Sequence, residues 1–364
     1  MARVTPSGRT RPQGPVSAVA TLGGVNRRTL TLAVALVPIL AFGVMMAAVK
    51  VPFVSLGPGP TFNTLGEYDG KQVVDIEGIE TEPTSGNLNM TTVSQRDDLT
   101  LGQALTLWLS GDEQLLPRNL VYPPDKSRDD VDKANEEEFK KSEDSAEYAA
   151  LNYLDYAPAV SVAQVNDPGP AAGRLQAGDA IDAVNGTPVA DVDAFTSVLK
   201  TTKPGQQIVI DFRRRNAPPG IATITLGAKD DRDYGYLGVG VLDAPWAPFD
   251  VRFNLANIGG PSAGLMFSLA VVDKLTTGNL NGSKFVAGTG TIESDGTVGS
   301  IGGITHKMAA ARDAGATVFL VPADNCAEAR TGGQDGLELI KVDTLGGAVD
   351  ALRALSNGGE PPRC

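Results

Sequence analysis

Ser262 stands in "IGGPSAGLMFSLAVVDKL", with Gly-Gly-Pro before it and Ala-Gly and an apolar run after it. Two chemistries fit that setting. The hydroxyl can cap a helix that begins there, as serine often does. It can also be a nucleophile at a helix start, where backbone N–H groups would stabilise a developing oxyanion. A serine hydroxyl attacks only when a neighbouring base takes its proton. The only histidine, His306, is adjacent to Lys307 in "IGGITHKMAAA". Neighbours on a helix point about 100° apart, so the two would not both face one serine. A lysine acts as base only when neutral, so its reference pKa of about 10.4 must be lowered, chiefly by burial. Small apolar residues around Lys307 suit that desolvation. Lys274 and Lys284 read as solvent-facing, and Asp273 and Asp295 fall at no recognisable triad position.

Other chemistries find less support. One histidine cannot build a histidine metal site, and Cys326 and Cys364 show no metal-ligand spacing, so neither a metal nor another cofactor is expected. A disulfide between these cysteines stays open at this level. The formal net charge of -12 argues against a nucleic-acid partner. No G-x-x-x-x-G-K-[ST] phosphate loop occurs in the chain, so no nucleotide partner is expected.

The elements that must position the serine begin with an apolar run. Thr29 to Val49, "TLTLAVALVPILAFGVMMAAV", carries no charge and is long enough to cross a bilayer as a helix. Its length and poor cleavage site favour an anchor over a cleaved signal. Arg3, Arg9, Arg11, Arg27 and Arg28 precede it with no acid among them, which keeps that side cytoplasmic. The tail 1–28, rich in Pro, Gly, Ser and Thr, reads as disordered. The expectation is a single-pass cell-membrane protein with its N-terminus cytoplasmic and its remaining chain outside. Beyond the anchor, "KQVVDIEGI" and "GNLNMTTVS" read as strands. "DDLTLGQALTLWLSG" has helical spacing at Leu101, Ala104, Leu105 and Trp108, with Asp98 or Thr100 as cap. A densely charged helical stretch, Arg128 to Glu147, reads as a solvated face.

From Ala157 the pattern becomes strand-rich. "AIDAVNG" ends on the hairpin signal Asn185-Gly186, "DVDAFTSVLKT" is an amphipathic helix and "QQIVIDFRR" an alternating strand. With "GPAAGRLQAGDAIDAVNGTPV", this segment resembles the PDZ domains attached to bacterial proteases. The resemblance implies capture of an extended peptide by strand addition. It also points to Tyr156, Ala157, Pro158 and Ala159 as the carboxylate-binding region, although no Gly-Leu-Gly-Phe-like loop stands there.

Downstream, "GPSAG", "GTGTI", "GTVGSIGG", Lys307 four residues after Gly303, and "AGATVFLVPADN" follow in order, closed by "LELIKVDTLGGAVDAL". This succession resembles the proteolytic domain of Lon proteases. Together with the anchor and the PDZ-like segment, the chain resembles membrane-anchored, PDZ-containing Lon-like serine proteases. The resemblance makes Ser262 the nucleophile and Lys307 its general base, a known alternative to Ser–His–Asp. It gives Thr289 a role in orienting the lysine. The N–H groups of Gly260 and Ser262 are candidate oxyanion donors. Two positions depart from the Lon pattern: Gly259 stands where an acid is usual before "GPSAG", and Thr291 where a glutamate is usual.

The expected fold is an α/β (α+β) Lon-type proteolytic domain with an inserted or appended PDZ-like β-rich module and one transmembrane helix. The expected division is a tail 1–28, a helix 29–49, an α/β segment 50–156 packing with the proteolytic domain, a PDZ-like module 157–227, the proteolytic domain 228–356 and a tail 357–364. Flexible or unfolded polypeptides are the expected substrates, cut without ATP. The PDZ-like module would recruit them or regulate access, and a homotrimer or hexamer fits the family. The competing reading is a membrane-anchored peptide-binding scaffold whose protease site is latent or inactive.

Overall fold

A computed structural model describes residue 1 and residues 26–111, 113–256, 258–333 and 336–364. Of the expected disordered tail, residues 2–25 lie outside the described residues. The charge-free run forms a helix, Arg27–Ala48, capped by the Asn26 side chain and containing Pro38. None of its residues is buried, and it is long and apolar enough to cross a membrane.

The principal sheet has six strands in the order Glu338–Val342, Val318–Pro322, Phe285–Gly288, Asn87–Arg96, Phe53–Asn63 and Gln114–Pro117. The first four run parallel, and the last two add antiparallel. Three strands from the 50–156 segment thus share one sheet with three strands from some 200 residues later, joined where Asn87–Arg96 pairs with Phe285–Gly288. Alternation along the strands covers both faces, as parallel sheets require. Leu88, Met90, Val286, Val318, Leu320 and Ile340 enter one core. Ala287, Phe319, Val321 and Leu339 enter a second core on the opposite face.

Helix Gly264–Leu275 fills the first core. Nearly all of it is buried, so an apolar surface all round suits a central helix. The long helix Arg128–Tyr153 packs on it, with Phe139 edge-on to Phe267 at 5.8 Å between ring centroids. Its start is fixed by a capping box between Ser127 and Asp130. The expected solvated face holds only in part. Glu143 and Glu147 are buried because Lys140 and Arg215 pair with them. Helix Ile304–Asp313 lies against the other face through Ile304, Met308 and Ala311.

A second sheet orders Gly220–Thr225, Gln207–Arg213, Ala180–Val184, Pro158–Val165 and Val239–Pro245. The Asn185-Gly186 turn has both residues at positive φ, as a tight hairpin demands. Helix Val192–Lys200, capped by Asp191, packs onto this sheet's own core. Here the structure differs from the expected boundary at 227. Val239–Pro245 pairs antiparallel with the whole of Pro158–Val165, and Val239 and Val241 pack against the second sheet's core.

The chain end is not a loose tail. Lys341 N–H donates to Pro362 O, Cys364 N–H donates to Leu339 O, and a disulfide joins Cys326 to Cys364. These contacts cover the outer edge of the Glu338–Val342 strand.

Candidate active site

Ser262 and Lys307 come from segments serving opposite faces of the principal sheet. They meet at the C-terminal end of the parallel strand Phe285–Gly288, the end at which open α/β sheets generally place their sites. Ser262 precedes helix Gly264–Leu275, whose N-cap is Ala263. The serine does not cap that helix: its Oγ lies 2.7 Å from Lys307 Nζ. The Ser262 carbonyl is fixed as well, accepting from the Gly290 N–H and the Thr289 hydroxyl, both at 3.0 Å.

Lys307 sits in the first turn of Ile304–Asp313. Gly303 starts that helix at φ +69°, and a Cβ there would come within 3.0 Å of Val93 Cγ2. The turn therefore requires glycine on both conformational and steric grounds. Lys307 is 3% exposed. Burial lowers its pKa from 10.5 to about 8, because the ammonium form is disfavoured away from water. Besides Ser262, its Nζ donates to Thr289 Oγ1 at 2.9 Å. Thr289, fully buried just past the strand, thus links the lysine to the serine's own carbonyl.

The long helix Arg128–Tyr153 holds the serine loop from outside. Ser142 Oγ donates to Pro261 O at 2.9 Å, and Gly260 N–H donates to Asn135 O at 2.9 Å. The second bond corrects the expectation for Gly260: its N–H is committed to Asn135 and is not aimed at an oxyanion. Gly259 gains a reason too. A Cβ there would meet Asn135 Cβ at 2.8 Å, so close helix packing takes the place of the usual acid.

The remaining candidates separate clearly. His306 is half-buried one residue from Lys307, and the side chain in contact with the Ser262 hydroxyl is the lysine. Lys284 is exposed as expected. Lys274 is not: it is buried and donates to Gln72 Oε1 at 3.1 Å. Asp273 is buried beside it, accepting from the Leu280 N–H. Among the described residues no group of histidine, cysteine or acidic side chains could hold a metal.

Tyr156, Ala157, Pro158 and Ala159 do not border a free edge. Pro158 and Ala159 are paired with Pro245 and Ala244, and the Ala157 carbonyl accepts from the Trp246 N–H. Tyr156 packs edge-on against Phe249 at 5.6 Å. Val239–Pro245 is itself an edge strand of this sheet, Gly220–Thr225 being the other, and helix Val192–Lys200 lies beside it. Asp243 Oδ1 accepts from the Val192 N–H at 2.9 Å, tying the edge to the start of that helix. Gly238, at φ +84°, turns the chain into the strand. The signal that would have located this edge is Leu237-Gly238-Val239, an apolar–Gly–apolar run ahead of alternating residues.

Comparison with known proteins finds two families along the chain. Residues 128–224 match the PDZ domain family, and residues 257–352 match the Lon protease (S16) C-terminal proteolytic domain. A stretch of 107 residues is 31% identical to Lon protease 2 of Bacillus subtilis (strain 168), covering 29% of this chain and 19% of that protein. The chain therefore spans about a fifth of that relative's length. Among solved structures, the PDZ domain of an SdrC-like protein of Listeria monocytogenes is 28% identical, with 23% of this chain and 86% of that one covered at a TM-score of 0.22. A solution structure from Geobacillus thermodenitrificans is 30% identical over 21% of this chain and 87% of that one, at a TM-score of 0.20. The protein thus joins a PDZ domain to a Lon-type C-terminal proteolytic domain, the make-up of a PDZ-containing Lon-like protease.

Proposed function

We propose that the chain is a membrane-anchored serine endopeptidase that cuts flexible or unfolded polypeptides with a Ser262–Lys307 dyad. The observation that carries this reading is the 2.7 Å approach of Lys307 Nζ to Ser262 Oγ with the lysine almost wholly buried. In the neutral form favoured by burial, the amine accepts the Ser262 proton as Oγ attacks a peptide carbonyl. The resulting ammonium then protonates the leaving amine. In the second half, Lys307 takes a proton from water, which hydrolyses the acyl-serine and regenerates both residues. Thr289 orients Nζ by accepting one of its hydrogens. Of the two donors considered from the sequence, the Ser262 N–H is the one that serves the oxyanion. Residues 50–156 and those after Pro245 would form one proteolytic unit around the PDZ-like insertion, as the sheet they share supports.

The Val239–Pro245 edge receives substrate peptide as an added strand, with helix Val192–Lys200 forming the other wall. The Arg27–Ala48 helix, charge-free from Thr29 on, and the arginines at and before its start support an anchor with the catalytic part outside. The Cys326–Cys364 disulfide fits an oxidising exterior. Peptide hydrolysis without ATP is consistent with the absence of a phosphate-loop motif in these 364 residues. Turnover of an unfolded polypeptide by wild type and Ser262→Ala tests the proposal: activity confined to the wild type supports it, and equal turnover defeats it.

A further inference from the structure

Helix Leu101–Ser110 carries its apolar residues at helical spacing, as the sequence suggests. In the structure only Ala104 is buried, while Leu105, Trp108 and Leu109 are 41%, 67% and 69% exposed. Phe53 and Leu120 add exposed apolar surface at the same end of the principal sheet. The Phe53 strand pairs with Pro117, and the Arg118 N–H donates to Pro52 O, which brings the Leu120 turn to that end. A cluster of large apolar side chains left in water is costly and marks a contact surface.

The location of the cluster identifies its partner. Leu101 N–H donates to Val49 O, Val51 N–H donates to Leu99 O, and the backbone bridge Lys50–Thr100 joins the two segments. A Cβ on Gly102 would lie 3.0 Å from Met46 O, so this glycine lets the helix start tightly against the last turn of Arg27–Ala48. That helix has 22 residues, or about 33 Å at the α-helical rise, enough to cross the ~30 Å hydrocarbon core once with little to spare. Its C-terminal end, and the helix docked on it, must then lie at the outer interface. Tryptophan and leucine exposed at that depth match the composition of interfacial helices.

We propose that Leu101–Ser110 is a second, monotopic membrane contact, with Leu105, Trp108 and Leu109 inserted into the outer leaflet beside the anchor. The occupant is the lipid surface itself. This contact would fix the orientation of the principal sheet to the bilayer, so the proteolytic site would not swing freely on a single helix. The inference rests on the anchor proposed above.

The test uses the full chain reconstituted in phosphatidylcholine vesicles containing bromine-labelled acyl chains, compared with Trp108→Phe. The chain has two tryptophans, and Trp246 is 8% exposed within the protein, so the variant isolates the Trp108 signal without disturbing a buried residue. The expected result is quenching of a Trp108 component by bromine placed near the headgroups, and loss of that component in the variant. Flotation of the same vesicles reads the anchor separately. Protein that floats while Trp108 remains unquenched overturns the interfacial contact and leaves the anchor standing. Protein that fails to float overturns both. Floating, unquenched protein that loses self-association in the variant assigns the patch to a second copy of the chain, also against the proposal.

Discussion

Lys307 is 3% exposed and held by two hydroxyls, whereas the Val239–Pro245 strand lies at a sheet edge with residues mostly half-buried. The two regions illustrate different demands. An amine acts as a base near neutral pH only when water is kept from its charged form, so the lysine must be enclosed. A strand takes up a peptide only while its N–H and C=O groups remain accessible, so the edge must stay open. The long helix Arg128–Tyr153 touches both. Asn135 and Ser142 hold the serine loop, and Glu147 pairs with Arg215 beside the second sheet.

Substitutions can break or sharpen this contrast. The largest effect is expected of Lys307→Arg. Arginine remains charged and cannot accept the serine proton, so kcat/KM should fall on the order of 10⁴-fold with the fold retained. Near-normal peptide turnover in a folded variant would remove the lysine from the mechanism. Thr289→Val keeps shape but deletes the acceptor of Lys307 and the donor to Ser262 O. A loss of roughly 10–100-fold in kcat is expected with KM little changed, the range for hydrogen bonds involving a charged group. At the open edge, Gly238→Val forces a β-branched residue into φ +84° and toward Pro170 Cδ at 3.1 Å. Steady-state kinetics on a substrate captured by the edge should show KM raised about 5–10-fold with kcat kept, since strain of ~1 kcal/mol or more falls on binding alone. An equal loss of kcat would mean that the two regions do not act separately. Ser142→Ala should show the smallest effect. Losing one bond to Pro261 O, worth about 1 kcal/mol, should lower kcat/KM about 5-fold on short peptides and slightly reduce the melting temperature.

Much of this organisation could be read from residue order. The apolar helix built on the charge-free run, the Asn185-Gly186 hairpin and the amphipathic helix after Asp191 carry local signals that the structure repeats. The nearness of Ser262 and Lys307, 45 residues apart, could be read only through the family resemblance, because periodicity does not say which helix ends meet. Long-range facts left no local trace. Nothing near Gly260 signals that its N–H is taken by Asn135, 125 residues earlier, and nothing near Lys274 signals its burial against Gln72. The sheet edge itself is hidden from the sequence for a related reason. Pro158–Val165 looks like a terminal strand in sequence, but Val239–Pro245 returns to cover it. Glu147 in a charged run likewise looked solvated until Arg215, 68 residues on, supplied its partner.

The central claim is that a buried, neutral Lys307 activates Ser262. The pH dependence of kcat/KM for a short unfolded peptide tests it most directly, because that profile reports the free enzyme's essential groups. Activity requires the deprotonated amine and is lost as pH falls through the lysine's pKa. The account predicts a single rising limb with its midpoint near about 8. A midpoint at the ordinary lysine value of 10.5, or a rise already complete at the reference histidine pKa of about 6.5, would contradict it.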